Sequence, residues 1–116
     1  MKIHRAWQKN DIYEEDGVLA GQQYPTDTGP IDFLVISKNK KTMLVIELKR
    51  GRASDVVVGQ IQRYMGFVQE ELLEKDQQVK GLIIGLEANN RLKRALSACS
   101  NIDFYRYKID FKLIKD

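Results

Sequence analysis

Asp32 and Glu47-Leu48-Lys49 place two carboxylates and an ammonium within or at the end of two apolar runs, IDFLVIS (31–37) and TMLVIEL (42–48). Charged groups in such places cost free energy unless they are paired or coordinate a metal. Mg2+ takes oxygen ligands, keeps several waters, and is typically held by one or two carboxylates together with substrate phosphates. Asp32 and Glu47 can supply those carboxylates, and the Leu48 carbonyl is a further candidate ligand. A cation held this way activates water and neutralises charge on a phosphoryl group, with Mn2+ as a substitute. Lys49 adds a point charge that can orient the nucleophile or stabilise a pentavalent transition state. Taken alone, the same residues have a plainer reading. A Glu-x-Lys triplet occurs by chance on many surface strands, and an Asp ahead of a strand is often a turn residue.

The elements that carry these residues set their geometry. Ile31–Ser37 and Thr42–Lys49 are β-favouring runs around the polar turn Lys38-Asn39-Lys40-Lys41. A loop of two residues or of four gives one register, pairing 37 with 42, 34 with 45 and 32 with 47. Asp32 then lies opposite Glu47, with Cβ atoms roughly 4.5–5.5 Å apart. Like charges so placed destabilise a sheet unless something positive sits between them. Lys49 falls on the face of Glu47, about 7 Å along the strand. The run Met43-Leu44-Val45-Ile46 reads as a strand buried on both faces.

Beyond the hairpin, Ser54 or Asp55 can cap a helix running to about Lys75, with Val57, Ile61, Tyr64, Met65, Val68 and Leu72 on its apolar face. Gln60 and Tyr64 share one side of it. Gln60 can point toward the carboxylates or be ordinary boundary polarity. Val79–Leu86 reads as another central strand, Asn89 or Asn90 opens a short helix ending near Cys99, and Ile102–Tyr107 is a further strand. Ile109–Ile114 alternates like an added edge strand. At the start, Ile3–Tyr13 reads as a short helix and Val18–Tyr24 as the first strand. The order β-β-β-α-β-α-β predicts an α/β domain, a mixed sheet flanked by helices.

At 116 residues, 43% hydrophobic and 30% charged, the chain suits one domain with one modest core. Residues 1–16 form its least defined segment. A net charge of +3 favours an anionic partner. Arg50 and Arg52 beside the carboxylates, and Arg63 on the helix, suit phosphate contact, with surface solvation as the alternative. The lysines of 38–41 read as a solvated hairpin tip. A single cysteine, Cys99, excludes an internal disulfide and suits a reducing cytoplasm. His4 is the lone histidine, which leaves no catalytic triad and makes zinc a poor fit. Trp7, Tyr105 and Tyr107 read as core rather than base-stacking aromatics. Gly29 and Gly51 suit turns, and no phosphate-cradling loop is present. No stretch reads as a membrane span or signal peptide.

The motif set resembles the PD-(D/E)xK nuclease superfamily, and within it the C-terminal domain of the NucS (EndoMS) type. Gln23-Tyr24-Pro25-Thr26-Asp27-Thr28-Gly29-Pro30-Ile31-Asp32 is similar to the segment leading to the first metal-binding Asp. Val45–Gly51 resembles the Glu-x-Lys strand, and Gln60-Ile61-Gln62-Arg63-Tyr64 the Q-x-x-x-Y helix motif. Arg94-Ala95-Leu96 and Ile102–Tyr107 resemble the closing helix and strand. The likeness covers about residues 17–108. It implies a restriction-endonuclease-like core, metal ligation by Asp32 and Glu47, catalysis by Lys49, and support from Gln60 and Tyr64. It also implies DNA as the substrate. The family usually carries a longer N-terminal helix with an acidic residue and a separate DNA-binding and dimerisation domain. Only Met1–Gly17 precedes the match here, and Glu14 or Glu15 is offered for the acidic role, against a capping or surface carboxylate.

Two functions follow: a metal-dependent endodeoxyribonuclease of repair, mismatch processing or defence, and a nuclease-fold DNA-binding module with little activity without a partner domain. Restriction or junction resolution is a more distant relative of the first. Double-strand cleavage would require two sites, hence a homodimer.

Overall fold

The computed structural model describes residues 10–15 and 17–116. In chain order its elements are β1 (Asn10–Ile12), β2 (Glu14–Glu15), β3 (Val18–Leu19), β4 (Gln22–Thr26), β5 (Gly29–Ser37), β6 (Thr42–Leu48), β7 (Arg52–Ala53), α1 (Val56–Glu71), β8 (Gln78–Gly85), β9 (Glu87–Ala88), α2 (Asn90–Ser97) and β10 (Ile102–Arg106). The main sheet runs β1-β5-β6-β8-β10, with β4 also on β5. Pairing is antiparallel from β1 and β4 through β5 to β6, then parallel through β8 to β10. It is a mixed sheet with two helices, the α/β class expected from the sequence.

The hairpin has the predicted register: Phe33 pairs with Ile46, Leu34 with Val45, Val35 with Leu44 and Ile36 with Met43. Its loop is closed by Lys40 N–H donating to Ser37 O at 2.9 Å, with Lys40 itself at φ 64. β6 is flanked on both sides and buried on both faces, which is why Met43–Ile46 is a continuous apolar run. One face, with Leu34, Met43, Val45 and Ile83, packs on Val57, Ile61, Tyr64, Met65 and Val68 of α1 and on Leu92 of α2. The other face carries a second cluster of Val35, Leu44, Ile46, Leu82 and Ile84.

β1 and β4 share one side of β5. β1 covers Val35–Ser37, β4 covers Gly29–Phe33, and the small β2–β3 hairpin is an excursion between them. The chain rejoins β5 at Gly21, whose carbonyl accepts from Leu34 N–H at 2.6 Å. A Cβ at Gly21 would lie 2.1 Å from Leu34 O, so only glycine permits this approach.

Several boundaries differ from the sequence reading. Asn10–Ile12 is a strand, because pairing with β5 overrides local helix preference, and Tyr13 is not helical; residues 3–9 of the expected Ile3–Tyr13 helix, with His4 and Trp7, lie outside the described residues. Val18–Tyr24 divides into β3 and β4 around Gly21. α1 ends at Glu71 rather than near Lys75. There Leu72 and Leu73 N–H both donate to Val68 O, and the chain turns through Asp76 at φ 67 to enter β8. Asp55 occupies the N-cap without a side-chain hydrogen bond; backbone carbonyls of Ser54 and Asp55 receive Val57 and Val58 N–H instead. Asn89 does cap α2, accepting from Leu92 N–H at 2.8 Å. Ile109–Ile114 forms no strand. The outer edge there is β10 itself, from which this tail directly continues, and Ile109, Phe111, Leu113 and Ile114 are exposed. No described helix is long and apolar enough to cross a membrane.

Candidate active site

Glu47 lies in the last part of β6, where the ladder to β8 still runs (Glu47 beside Ile83, Leu48 beside Ile84), and it is 5% exposed. The cross-strand ladder to β5 is replaced here by a side chain. Asp32 Oδ2 accepts Leu48 N–H at 2.8 Å, which fixes the first carboxylate beside the second. On the other side of Asp32, Gln23 Nε2 donates to Oδ1 at 3.3 Å. Leu48 thus contributes its amide to the site.

A positive charge reaches Glu47 from Lys49, held where β6 ends by its N–H donating to Ile84 O at 2.8 Å. Its Nζ stands 3.3 Å from Glu47 Oε1 and donates to Gln60 Oε1 at 3.1 Å. Gln60 Nε2 donates in turn to Tyr64 OH at 3.1 Å. These two residues, four apart on α1, share one helix side, and helix packing delivers them to the end of β6. Tyr64 OH would lie 3.3 Å from a Cβ at Gly29, which has φ 121, so glycine leaves room for the phenol at the start of β5.

One polar atom stays unsatisfied. Glu47 Oε2 is buried without a hydrogen-bond partner. Burial pushes the Glu47 carboxyl above its usual range, the nearby Asp32 charge pushes it further, and Lys49 pulls it back only in part. A carboxylate with one oxygen left without a donor, beside a second carboxylate, is a place where a cation fits. The donors are carboxylate oxygens, which suit a hard cation such as Mg2+ or Mn2+. Among the described residues no group of three or more Asp, Glu, His or Cys side chains is arranged to hold a metal, so the donor set here is two carboxylates.

The structure therefore brings together Asp32, Glu47, Lys49, Gln60 and Tyr64. Neither Glu14 nor Glu15 is hydrogen-bonded or ion-paired to any of them. Glu15 accepts from the buried Tyr24 OH, whose pKa is pushed upward, chiefly by burial and then by that glutamate. Glu14 lines a cavity with Asp11, Lys40, Met43 and Leu72, at the hairpin-loop end of the sheet. Arg50 is exposed and its carbonyl accepts from Tyr107 OH, while Arg52 is paired with Glu87. Arg63 is exposed on α1, its guanidinium lying toward Gly59 one turn back. Gln23 was not singled out as a site residue from sequence; its position opposite Asp32 is the signal that could have found it.

Comparison with known proteins bears on the family and the fold. The endonuclease NucS C-terminal domain family matches residues 7–110. Among solved structures, a repair endonuclease from Pyrococcus abyssi superposes with a TM-score of 0.63 at 24% identity, over 75% of this chain and 36% of that one. An EndoMS complex with double-stranded DNA gives 0.63 at 23% identity, over 78% and 36%. EndoMS in the apo form gives 0.56 at 24%, over 68% and 32%. The chain thus spans about a third of the length of these proteins, and the likeness shows a shared fold. With the family matching nearly the whole sequence, the chain belongs to the endonuclease NucS C-terminal domain family.

Proposed function

We infer that this domain hydrolyses DNA phosphodiester bonds, assisted by Mg2+, or Mn2+ in its place, held by Asp32 and Glu47. The observation that carries the reading is Glu47 Oε2, buried without a donor next to a second carboxylate. A domain that needed only a packed core would be more stable with a neutral, satisfied side chain there. When bound, the cation would polarise the scissile phosphate and acidify a coordinated water.

The chain's own groups supply the remaining work. The Lys49 side chain, 34% exposed, bridges the buried carboxylate and the surface. Its ammonium can donate to an attacking water or to a phosphoryl oxygen as negative charge develops. Gln60 accepts one of its protons and is itself braced by Tyr64, which keeps the ammonium from closing entirely onto Glu47. The Leu48 amide holds Asp32 in place. Arg50 and Arg63 offer sequence-independent phosphate contacts, with Arg52 weakened for that purpose by Glu87.

Labelled single-stranded, duplex, branched and mismatched DNA, incubated with Mg2+ or Mn2+, tests this directly. Wild type is expected to cut at least one substrate, with cleavage lost in chelator and in folded Glu47→Ala and Lys49→Ala variants. Full activity in a folded Glu47→Ala protein would overturn the assignment. A role in repair or mismatch processing, action in the cytoplasm, and a dimer for double-strand cutting belong to the same proposal. A second reading, a DNA-binding module that cuts only with a partner domain, draws on the 36% share of the larger relatives that this chain covers. It predicts a wild type that binds Mn2+ and DNA but cleaves only when an N-terminal DNA-binding domain is supplied.

A further inference from the structure

We propose that Gln23 is a positioning residue of the carboxylate site, holding Asp32 for its cation through a hydrogen bond delivered by a strained backbone. The proposal rests on the reading of Asp32 and Glu47 as cation ligands.

The register places the residue. Gln22 pairs with Phe33 and Tyr24 with Ile31, so Gln23 stands opposite Asp32 on β4 as Glu47 does on β6. Asp32 is the middle of a row across three strands. Its two oxygens are held from opposite sides, Oδ2 by the Leu48 amide at 2.8 Å and Oδ1 by the Gln23 carboxamide at 3.3 Å. Each carboxylate oxygen keeps a second acceptor site for a cation or its water.

The backbone supplies independent support. Gln23 has φ 52, a left-handed conformation costly for a residue with a side chain. The other non-glycine residues with positive φ among those described, Lys40 and Asp76, sit in turns where such conformations are ordinary. Gln23 sits within a strand. The cross-strand pair Tyr24 and Ile31 is buried in the helix-side core, and the left-handed residue beside it lets the next pair, Gln23 and Asp32, meet through their side chains. The Gln23 side chain is exposed, so packing does not explain the strain.

This separates a positioning role from a structural one. Gln23→Gly removes the carboxamide and relieves the backbone, so it should melt at or above the wild-type temperature. Its Mn2+ dissociation constant, read by electron paramagnetic resonance without DNA, should nevertheless rise about tenfold, the lower range for loss of a group that orients a metal ligand. Gln23→Ala should show the same weakening with a lower melting temperature. If wild type binds Mn2+ and both variants bind it equally well, the inference is overturned while the cation site stands. If wild type binds no Mn2+, the reading of Asp32 and Glu47 as ligands fails, and this inference with it.

Discussion

The two ends of the β5–β6 hairpin carry charges of both signs and behave oppositely. At the loop end, Lys38 and Asp11 meet at 2.7 Å with both side chains largely in water. Lys38 lowers the Asp11 pKa, chiefly by that hydrogen bond. At the far end, roughly 15 Å along the strands, Glu47 is buried, opposed by Asp32, and left with one unsatisfied oxygen. The loop-end pair joins Lys38 of the hairpin loop to Asp11 on β1 beside β5, whereas Asp32 and Glu47 stand on β5 and β6 themselves. What separates them is burial: an exposed pair is solvated and nearly neutral in energy, whereas a buried carboxylate facing a half-buried one is destabilising until a cation joins them.

The contrast can be broken by substitution. The largest effect is expected for Glu47→Ala and Asp32→Ala, which should reduce Mg2+-dependent DNA cleavage to the chelator background in proteins that still melt cooperatively. Lys49→Ala should follow, with cleavage lowered by about two to three orders of magnitude, as for loss of one group aimed at developing charge, and with Mn2+ binding retained. A titration that found Mn2+ binding abolished in Lys49→Ala would move that residue from catalysis to ligand support.

A third effect is in stability and has the opposite sign. Because the folded state raises the Glu47 pKa, the folded protein holds the proton more tightly than the unfolded chain. The stability contribution is therefore fully present below the ordinary value of 4.5 and is lost as pH rises through the higher folded value. In chelator, Glu47→Gln should melt above wild type at pH 7, and the gap should close as pH falls toward 4.5. Thermal denaturation across that range checks it, and added Mn2+ should stabilise wild type alone.

The smallest effect belongs to the loop end. Asp11→Asn and Lys38→Ala should leave cleavage, Mn2+ affinity and melting temperature unchanged within error, since both partners are exposed. A large loss in either would mean that the two ends are coupled.

Much of this contrast was legible in the residues. Asp32 and Glu47 broke apolar runs, and hairpin parity alone brought them together in the register that the structure has. Helical spacing brought Gln60 and Tyr64 to one side of α1. Gln23 escaped notice because glutamine gives no sign of a positive φ, and the strand alternation on which the reading relied fails at that residue. The tail misled for a related reason. Ile109, Phe111 and Leu113 alternate like a strand, but the tail follows β10 with no turn to bring it back alongside that open edge. The excursion at β2–β3 was equally hidden, since it depends on Gly21 fitting against Leu34 O, a contact distant in sequence.

The central claim is that buried Glu47 and half-buried Asp32 form a cation site and the exposed charges of the loop end do not. Anomalous diffraction from crystals soaked in Mn2+ tests it most directly. The account predicts one strong peak about 2.1 Å from oxygens of both Asp32 and Glu47, absent in Glu47→Gln crystals. Density only near Asp11, or none at the paired carboxylates, would contradict it.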